Sequence, residues 1–146
     1  MTTWKVGGNT WSNIVNQPAK TAYQNEIVSP VTTNTTDNAT TYSAKVGLMY
    51  ASDYGFAAAP SAWTSNLKDY DGAAIKNVNW MYMGLVEWTI SRRTDNAYVV
   101  FVASNSGSVN DNYANNALAV RPVFSLTSSV NYVSGSGTAA DPILVN

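Results

Sequence analysis

The sequence predicts an α+β fold, and three observations lead to that class. Two apolar, strand-like runs, Leu85–Ser91 and Ala97–Ala103, are followed by a third at Leu118–Leu126. Helical spacing of apolar residues appears near the N-terminus. Between the second and third strands lies Ser104–Asn116, built almost wholly from Asn, Ser, Gly, Asp, Tyr, Ala and Val. We predict that this segment is a polar loop presented by a rigid scaffold.

Composition bounds the possible functions. At 146 residues the chain is predicted to form a single domain, 1–146, with a buried core. Charged residues make up only 12%, about half the usual share. A net charge of −1 and one adjacent basic pair, Arg92–Arg93, argue against nucleic-acid binding, which depends on many phosphate contacts. The chain has no Cys and no His, which excludes thiolate nucleophiles, His bases and the usual zinc ligand sets.

Residues 1–43 are predicted to contain a strand, two helical stretches and a loop. Trp4–Val6 has strand character and ends at a Gly pair. Two helical stretches follow, through Trp11–Val15 and Ala19–Ile27, and Ser29–Ser43 is a Thr/Asn-rich loop by composition. The side chains predicted to face inward are Trp11, Ile14, Val15, Ala22, Tyr23 and Ile27.

The middle of the chain alternates short elements with irregular segments. Lys45–Ala51 has the composition of a core strand, and the short helix predicted after it ends at Pro60. Ser61–Asn79 is predicted to be irregular, anchored by Trp63 and Leu67. A last short strand is predicted at Ile143–Val145.

Two charged residues stand inside apolar strands and therefore need partners. Alternation in Leu85–Ser91 places Val86, Trp88 and Ile90 on one face and Glu87 on the other. Arg121 lies in a strand just before a proline, and a buried guanidinium requires a carboxylate or several carbonyls. We predict that Arg121 pairs with Glu87 or Asp53. Trp88 and Phe101 are predicted to lie in the core.

Several short motifs have both a functional and a structural interpretation. Asn34-Thr35-Thr36 and Asn38-Ala39-Thr40 match the glycosylation motif, and we interpret them as chance matches in a Thr/Asn-rich loop. Asp69 and Asp71 lack the ligand series of a calcium loop, so a solvated turn is favoured. The carboxylate pairs Asp69/Asp71 and Glu87/Asp95 carry no catalytic motif, and we predict that the protein is not an enzyme.

Five phrases together carry a resemblance to a known family. They are VGLMYASDYG (46–55), NWMY (79–82), EWTIS (87–91), AVRPVFSL (119–126) and SGSGTAADP (134–142). They resemble bacterial surface domains that often follow prepilin-type leaders. Those domains look like distant relatives of the C-type-lectin-like fold, which is shared by formylglycine-generating enzymes and by the variable proteins of diversity-generating retroelements. The resemblance covers residues 44–146.

The resemblance implies a fold and a binding region. The fold would be a short antiparallel sheet with two helices and long loops, with adjacent termini, so Trp4–Val6 and Ile143–Val145 are predicted to share a sheet. Retroelement variable proteins change at adenines, and every residue of Asn105–Ala117 belongs to the set that such changes produce; Arg92–Tyr98 is compatible. The ligand-binding residues implied are Arg92, Arg93, Asp95, Asn96, Tyr98, Asn105, Ser106, Ser108, Asn110, Asp111, Asn112, Tyr113, Asn115 and Asn116.

The chain departs from this family in two respects. Formylglycine-generating enzymes use a cysteine pair, which this chain lacks, and the calcium-binding motifs of sugar-binding C-type lectins are missing. We therefore predict neither activity, and no cofactor. Trp80 and Tyr82 either extend the binding surface or lie in the core, and the core is favoured because most large rings are substantially buried.

The hypothesis from sequence is a surface-displayed, adhesin-like or receptor-like ligand-binding protein. Its ligand would be a protein or glycan on another cell or on a phage, and pilus subunits are further candidate partners. We expect an extracellular or bacterial cell-surface location, with a targeting segment outside these residues and no membrane contact by the domain itself. The alternative is a structural pilin or fibre subunit in which the polar loop only faces solvent.

Overall fold

The computed structural model describes residues 1–28, 40–138 and 140–146, and its architecture is mixed α+β with short helices and several small sheets. The strands are β1 (Thr2–Lys5), β2 (Gly8–Asn9), β3 (Thr41–Ala44), β4 (Gly47–Leu48), β5 (Glu87–Arg93), β6 (Val99–Ala103), β7 (Val109–Tyr113), β8 (Pro122–Val123), β9 (Tyr132–Ser134) and β10 (Leu144–Val145). The α-helices are α1 (Trp11–Ile14), α2 (Ala19–Tyr23), α3 (Ala51–Phe56) and α4 (Ala73–Lys76). A π-helical turn, Gln24–Val28, extends α2, and 3₁₀ turns occupy Pro60–Ala62 and Leu67–Asp69.

A four-stranded sheet in the order β2-β5-β6-β7 supports one side of the core. β2 runs parallel to β5, while β5, β6 and β7 are successively antiparallel. β6 lies between two neighbours, and four of its five residues are buried, as predicted for a central strand that is apolar on both faces. The register of β5 against β6 shifts between Trp88 and Arg92, which bends the strand at that point.

The remaining strands form three two-stranded sheets, β1–β3, β4–β8 and β9–β10. The prediction that the terminal strands share a sheet is wrong. β1 instead pairs with β3, and its Trp4 ring packs so closely over Gly47 that a Cβ there would lie 2.7 Å from the ring. β10 pairs with β9 across a turn in which Asp141 accepts from the backbone of Ser136. Each terminal strand thus pairs with a strand other than the opposite terminus.

Helices and sheet meet in one apolar cluster. Its largest fully buried side chains include Tyr54, Tyr70, Phe101 and Ile14. At Gly55, α3 packs closely against Ala19 of α2 and against Leu67. A Cβ on Gly55 would lie 2.6 Å from Leu67 and 2.8 Å from Ala19. Glycine therefore permits the approach of the two helices. The inward positions predicted for the first helices are confirmed for Ile14, Val15 and Ala22, whereas Trp11, Tyr23 and Ile27 are half-buried.

Several predicted element boundaries are wrong, among them the irregular segment Ser61–Asn79, which contains α4. The core strand predicted over Lys45–Ala51 shortens to β4, because α3 already begins at Ala51. The loop predicted over Ser29–Ser43 ends in β3, and its residues 29–39, which hold most of both glycosylation motifs, lie outside the described residues. Leu118–Leu126 contains only β8. The largest error concerns Ser104–Asn116, where Val109–Tyr113 forms β7 at the edge of the main sheet.

The predicted pair between Glu87 and Arg121 is confirmed. Arg121 Nη2 and Nε donate to the two carboxylate oxygens of buried Glu87 at 2.7 and 3.2 Å, and Nη2 also donates to the carbonyl oxygen of Met81 at 2.7 Å. The more buried face of β5 carries polar residues, Glu87, Thr89 and Ser91. Thr89 Oγ1 donates to the carbonyl of Phe101 at 2.7 Å. Trp88, on the other face, is half-buried, which corrects its assignment to the core.

A buried carboxylate, Glu26, joins three elements that are distant in sequence. Its oxygens accept hydrogen bonds from the backbone N–H groups of Ala51 at 3.2 Å and Ser52 at 3.0 Å, at the start of α3. The hydroxyl of Ser91 in β5 donates to the same carboxylate. Two N–H groups that have no partner within the helix are thereby satisfied. Burial raises the pKa of Glu26 above its ordinary value, against the effect of these hydrogen bonds.

We expect the cost of truncating aromatic residues to follow burial. Phe101→Ala should lower the free energy of unfolding by about 3–5 kcal/mol, because it opens a cavity in the core. Trp88→Ala removes a larger ring from a half-buried position and should cost less than Phe101→Ala, below about 3 kcal/mol. Chemical denaturation of both variants measures their free energies of unfolding. A larger loss of stability for Trp88→Ala than for Phe101→Ala would contradict the expectation that the cost follows burial.

The raised pKa of Glu26 makes its contribution to stability depend on pH. The folded state binds a proton at Glu26 more tightly than the unfolded state does, so protonation favours folding. As pH falls from 7 toward the ordinary glutamate pKa of about 4.3, the wild type should gain stability relative to Glu26→Gln, which cannot titrate. Other groups titrate in both proteins and cancel in the difference. If the difference in stability between the wild type and Glu26→Gln stays constant as pH falls, or moves the other way, the pKa of Glu26 is not raised in the folded state.

Candidate functional site

The residues predicted to bind ligand fall into two groups at opposite ends of the β6–β7 hairpin. Asn105, Ser106 and Ser108 belong to the turn between the strands. The connection from β5 to β6, residues 94–98, lies at the other end with Tyr113 and the turn that follows it. The five residues of β6 separate the groups by about 13 Å, given the rise of a strand. The structure therefore does not form one continuous binding loop.

Two exposed tyrosines border a cleft at the second of these ends. Tyr98 is 76% exposed and Tyr113 61% exposed, although each adjoins a buried part of the sheet. With Ala97, Ala114 and Asn115 they line a surface cleft of about 330 Å³. The N–H of Ala114 donates to the carbonyl of Tyr98 at 2.9 Å, which joins the two sides of the cleft. The backbone is therefore fixed while both rings remain exposed to solvent.

Arg93 holds this end of the sheet together. Its guanidinium donates to the carboxylate of Asp95 at 2.9 and 2.8 Å, forms an ion pair with Asp111, and lies 5.6 Å from the ring of Trp11. The hydrogen bonds from Arg93 lower the pKa of the Asp95 carboxyl, and the two carboxylates raise that of Arg93. These ion pairs brace the turn, and the roles of Arg93, Asp95 and Asp111 as ligand contacts stay predictions.

Arg92 does not line the cleft and makes its hydrogen bond elsewhere. Its Nε donates to the carbonyl of Val6 at 2.8 Å, which connects β5 to the segment between β1 and β2. The residue is half-buried, and its Nη2 atom is buried without a partner among the described residues. Its role as a ligand contact stays a prediction.

The asparagines of the predicted set brace the local backbone. Asn96 Oδ1 accepts from the N–H of Tyr98 at 3.1 Å, and Asn110 Oδ1 accepts from that of Asp111 at 2.8 Å. Asn112 Oδ1 accepts from the side-chain amide of Asn116 at 2.6 Å and from the N–H of Tyr113 at 2.9 Å. Asn115 is exposed at the cleft. These amides keep Tyr98 and Tyr113 in place.

The turn between β6 and β7 is tied to the core. The hydroxyl of buried Tyr54 donates to the carbonyl of Gly107 at 2.8 Å, and that of Tyr82 donates to the carbonyl of Asn105 at 2.9 Å. Ser108 and Val109 are buried. Asn105 and Ser106 are exposed, whereas Ser108, also predicted as a contact, is buried.

A second cleft lies beside α3 and was not predicted from sequence. It has a volume of about 350 Å³, and its lining includes Asp53, Phe56, Trp80 and Met81. Trp80 is 76% exposed, so its favoured assignment to the core is wrong, while Tyr82 is half-buried. The sequence signal was the phrase NWMY, in which the asparagine before Trp80 holds the backbone. Its side-chain amide donates to the carbonyl of Tyr54 at 3.0 Å.

Acidic residues are dispersed among the described residues. Glu87 and Asp95 pair with different arginines, and no group of three or more acidic side chains gathers in a way that could hold a metal ion within residues 1–28, 40–138 and 140–146. Within the same ranges, no helix has the length and apolarity needed to cross a bilayer.

Comparisons with known proteins return no relative of this chain. It matches no protein-family model, no curated protein and no solved structure. The functional interpretation therefore rests on the geometry of the two clefts and on the sequence phrases.

The turn at Gly107 should tolerate substitution poorly. Its φ of 106° lies in a region that L-residues avoid, and a Cβ would approach Lys76 Cδ to 2.8 Å and the carbonyl oxygen of Tyr70 to 3.2 Å. Gly107→Ala should therefore reduce the free energy of unfolding by about 1–3 kcal/mol. Gly72→Ala is the control, because its φ is −59° and its nearest neighbour lies 3.9 Å away. Equal thermal stability of the two variants would show that the turn is not strained.

Proposed function

We propose that this chain is a surface-displayed ligand-binding domain of the adhesin or receptor type, and that it binds through the cleft between Tyr98 and Tyr113. The observation that carries the proposal is the exposure of two aromatic side chains on a backbone fixed by hydrogen bonds. Binding here would cost little backbone entropy, because the backbone that carries both rings is already fixed. The ligand would be a protein or a glycan on another cell or on a phage.

The chemistry of the cleft supports recognition of this kind. Tyrosine offers a large, rigid contact area with a polar end, and asparagine and serine add hydrogen bonds that adapt to different partners. Asn115 lines the cleft, and Asn112 lies in the adjoining strand. Aromatic residues at the centre of a contact surface often carry most of the binding energy. Tyr113, which ends the edge strand, is the residue on which we expect binding to depend most.

The relationship to the C-type-lectin-like variable proteins is also part of this proposal. It rests on the five sequence phrases, and the separate sheets of the terminal strands count against it. Packing would limit the positions at which retroelement diversification could change residues. Gly107, Ser108 and Val109 are held by backbone conformation and burial, so tolerated changes would concentrate at the exposed positions 105, 106, 110 and 113–117. A template repeat whose mismatches fall on those codons would support it.

A structural fibre subunit is the second candidate, and a separate surface favours it. The C-terminal segment exposes many apolar side chains to solvent, each by about half or more: Phe124, Leu126, Tyr132, Val133, Ile143, Leu144 and Val145. Exposed apolar area of this kind is typical of contacts between proteins. Concentration-dependent assembly that Tyr132→Ser or Leu144→Ser abolishes would favour the fibre subunit.

Binding through the tyrosine cleft can be separated from folding by substitution. Tyr113→Ser and Tyr98→Ser should each change the free energy of unfolding by about 0.5 kcal/mol or less, as at other exposed positions. The same variants should weaken binding to any ligand found by screening glycan arrays and intact cells by about tenfold or more, because they remove the main contact area. Binding is measured with the immobilised domain, and folding by thermal denaturation.

Tyr42→Ser is the matched control for these variants. Tyr42 lies in β3 and is 66% exposed, similar to Tyr113, but it does not line the cleft. Its substitution should leave binding unchanged. Loss of binding by Tyr42→Ser with no loss by Tyr98→Ser or Tyr113→Ser would place the contact surface elsewhere.

A further inference from the structure

The cleft beside α3 combines an exposed tryptophan with a carboxylate in apolar surroundings. Trp80 and Phe56 supply aromatic rings, Met49 and Met81 supply thioethers, and Asp53 is the charged residue of the lining. The volume, about 350 Å³, lies at the lower end of the range for small-molecule sites. The cleft shares no lining residue with the tyrosine cleft, so an inference about it does not depend on the proposed function.

Trp80 is held by its neighbours while its ring faces solvent. Asn79 Oδ1 accepts from the N–H of Met81 at 3.0 Å, and the N–H of Trp80 itself donates to the carbonyl of Ala57 at 3.2 Å. Arg121 donates to the carbonyl of Met81 at 2.7 Å. These contacts fix the backbone on both sides of Trp80. The indole of Trp80 therefore presents a flat, exposed aromatic face beside the cleft on a fixed backbone.

Asp53 brings negative charge that is not neutralised locally. Its Oδ2 accepts from the N–H of Tyr50 at 2.9 Å, and no lysine or arginine forms an ion pair with it among the described residues. Burial raises the pKa of the Asp53 carboxyl. An anion would be repelled, and a neutral ligand would desolvate the carboxylate without compensation.

We propose that the cleft beside α3 binds a small organic ammonium ion with an apolar ring. The ammonium group would pair with the Asp53 carboxylate and lie against the face of Trp80, the side chain that attracts cations most strongly. The ring would occupy the apolar part of the cleft, between Phe56 and the two methionines. A carboxylate and an aromatic face at the edge of an apolar cavity are complementary to such an ion in both charge and shape.

The chain offers an internal reporter for this site. It contains four methionines, of which Met49 and Met81 line the cleft, whereas Met1 and Met83 do not. With ¹³C-methyl methionine, titration with phenethylammonium should shift the Met49 and Met81 signals and leave Met1 and Met83 unchanged. The neutral analogue 2-phenylethanol, of similar size, should bind about tenfold more weakly or worse, because it lacks the charge.

Two variants divide the proposal into its parts. Asp53→Asn keeps an acceptor for the N–H of Tyr50 but removes the charge. It should therefore abolish the preference for phenethylammonium over 2-phenylethanol. Trp80→Ala alters an exposed ring and should weaken phenethylammonium binding about tenfold without changing thermal stability. Tyr42→Ala is the exposed control and should bind like the wild type.

The results decide the proposal even if one variant does not fold. Equal affinity of the wild type for phenethylammonium and 2-phenylethanol, or shifts confined to Met1 and Met83, would overturn it. A preference that survives in folded Asp53→Asn would also overturn it. If Asp53→Asn does not fold, the wild-type preference and the loss in Trp80→Ala decide the outcome. Binding at the tyrosine cleft should be unaffected by Trp80→Ala, which keeps this test distinct from that of the proposed function.

Discussion

The buried carboxylate of Glu26 is the contact on which the arrangement of helices and sheet depends. It accepts hydrogen bonds from two N–H groups at the start of α3 and from Ser91 of β5, so one side chain joins the N-terminal helical region, α3 and the main sheet. Burying a carboxyl group here is costly, and the hydrogen bonds that it accepts offset part of that cost. Removing the Glu26 side chain would leave the N–H of Ser52 without its acceptor, whereas the N–H of Ala51 would keep the hydroxyl oxygen of Ser91.

α3, positioned in this way, supports both clefts. Tyr54 reaches through the core to the carbonyl of Gly107 and so fixes the β6–β7 hairpin, whose other end carries Tyr113. Asp53 and Phe56, on the same helix, line the second cleft. Tyr70 donates to the carbonyls of Gly55 and Ala62, both at 3.2 Å, which holds the far end of the helix. The exposed rings thus stand on a scaffold that makes its own hydrogen bonds.

The sequence revealed contacts whose partners each carry a local signal, and it missed those that depend on distant packing. Glu87 and Arg121 could be paired because each is a charge within an apolar strand. Glu26 could not be identified, since its acceptor role depends on residues 25 and 65 positions away. The composition of β7 predicts a loop, because an edge strand with one exposed face needs few apolar residues. Ring size alone predicts burial for Trp80, which the structure exposes.

The use of arginine explains the character of the exposed surface. Arg92 is bonded to the carbonyl of Val6, Arg93 to two aspartates, and Arg121 to Glu87, so each arginine of the chain contributes to structure. Around the tyrosine cleft the charges are therefore compensated, and on our proposal recognition there depends on aromatic area and amide hydrogen bonds instead of long-range attraction. Asp53 differs because no arginine reaches it within the described residues, and this difference in compensation gives the two clefts their different proposed ligands.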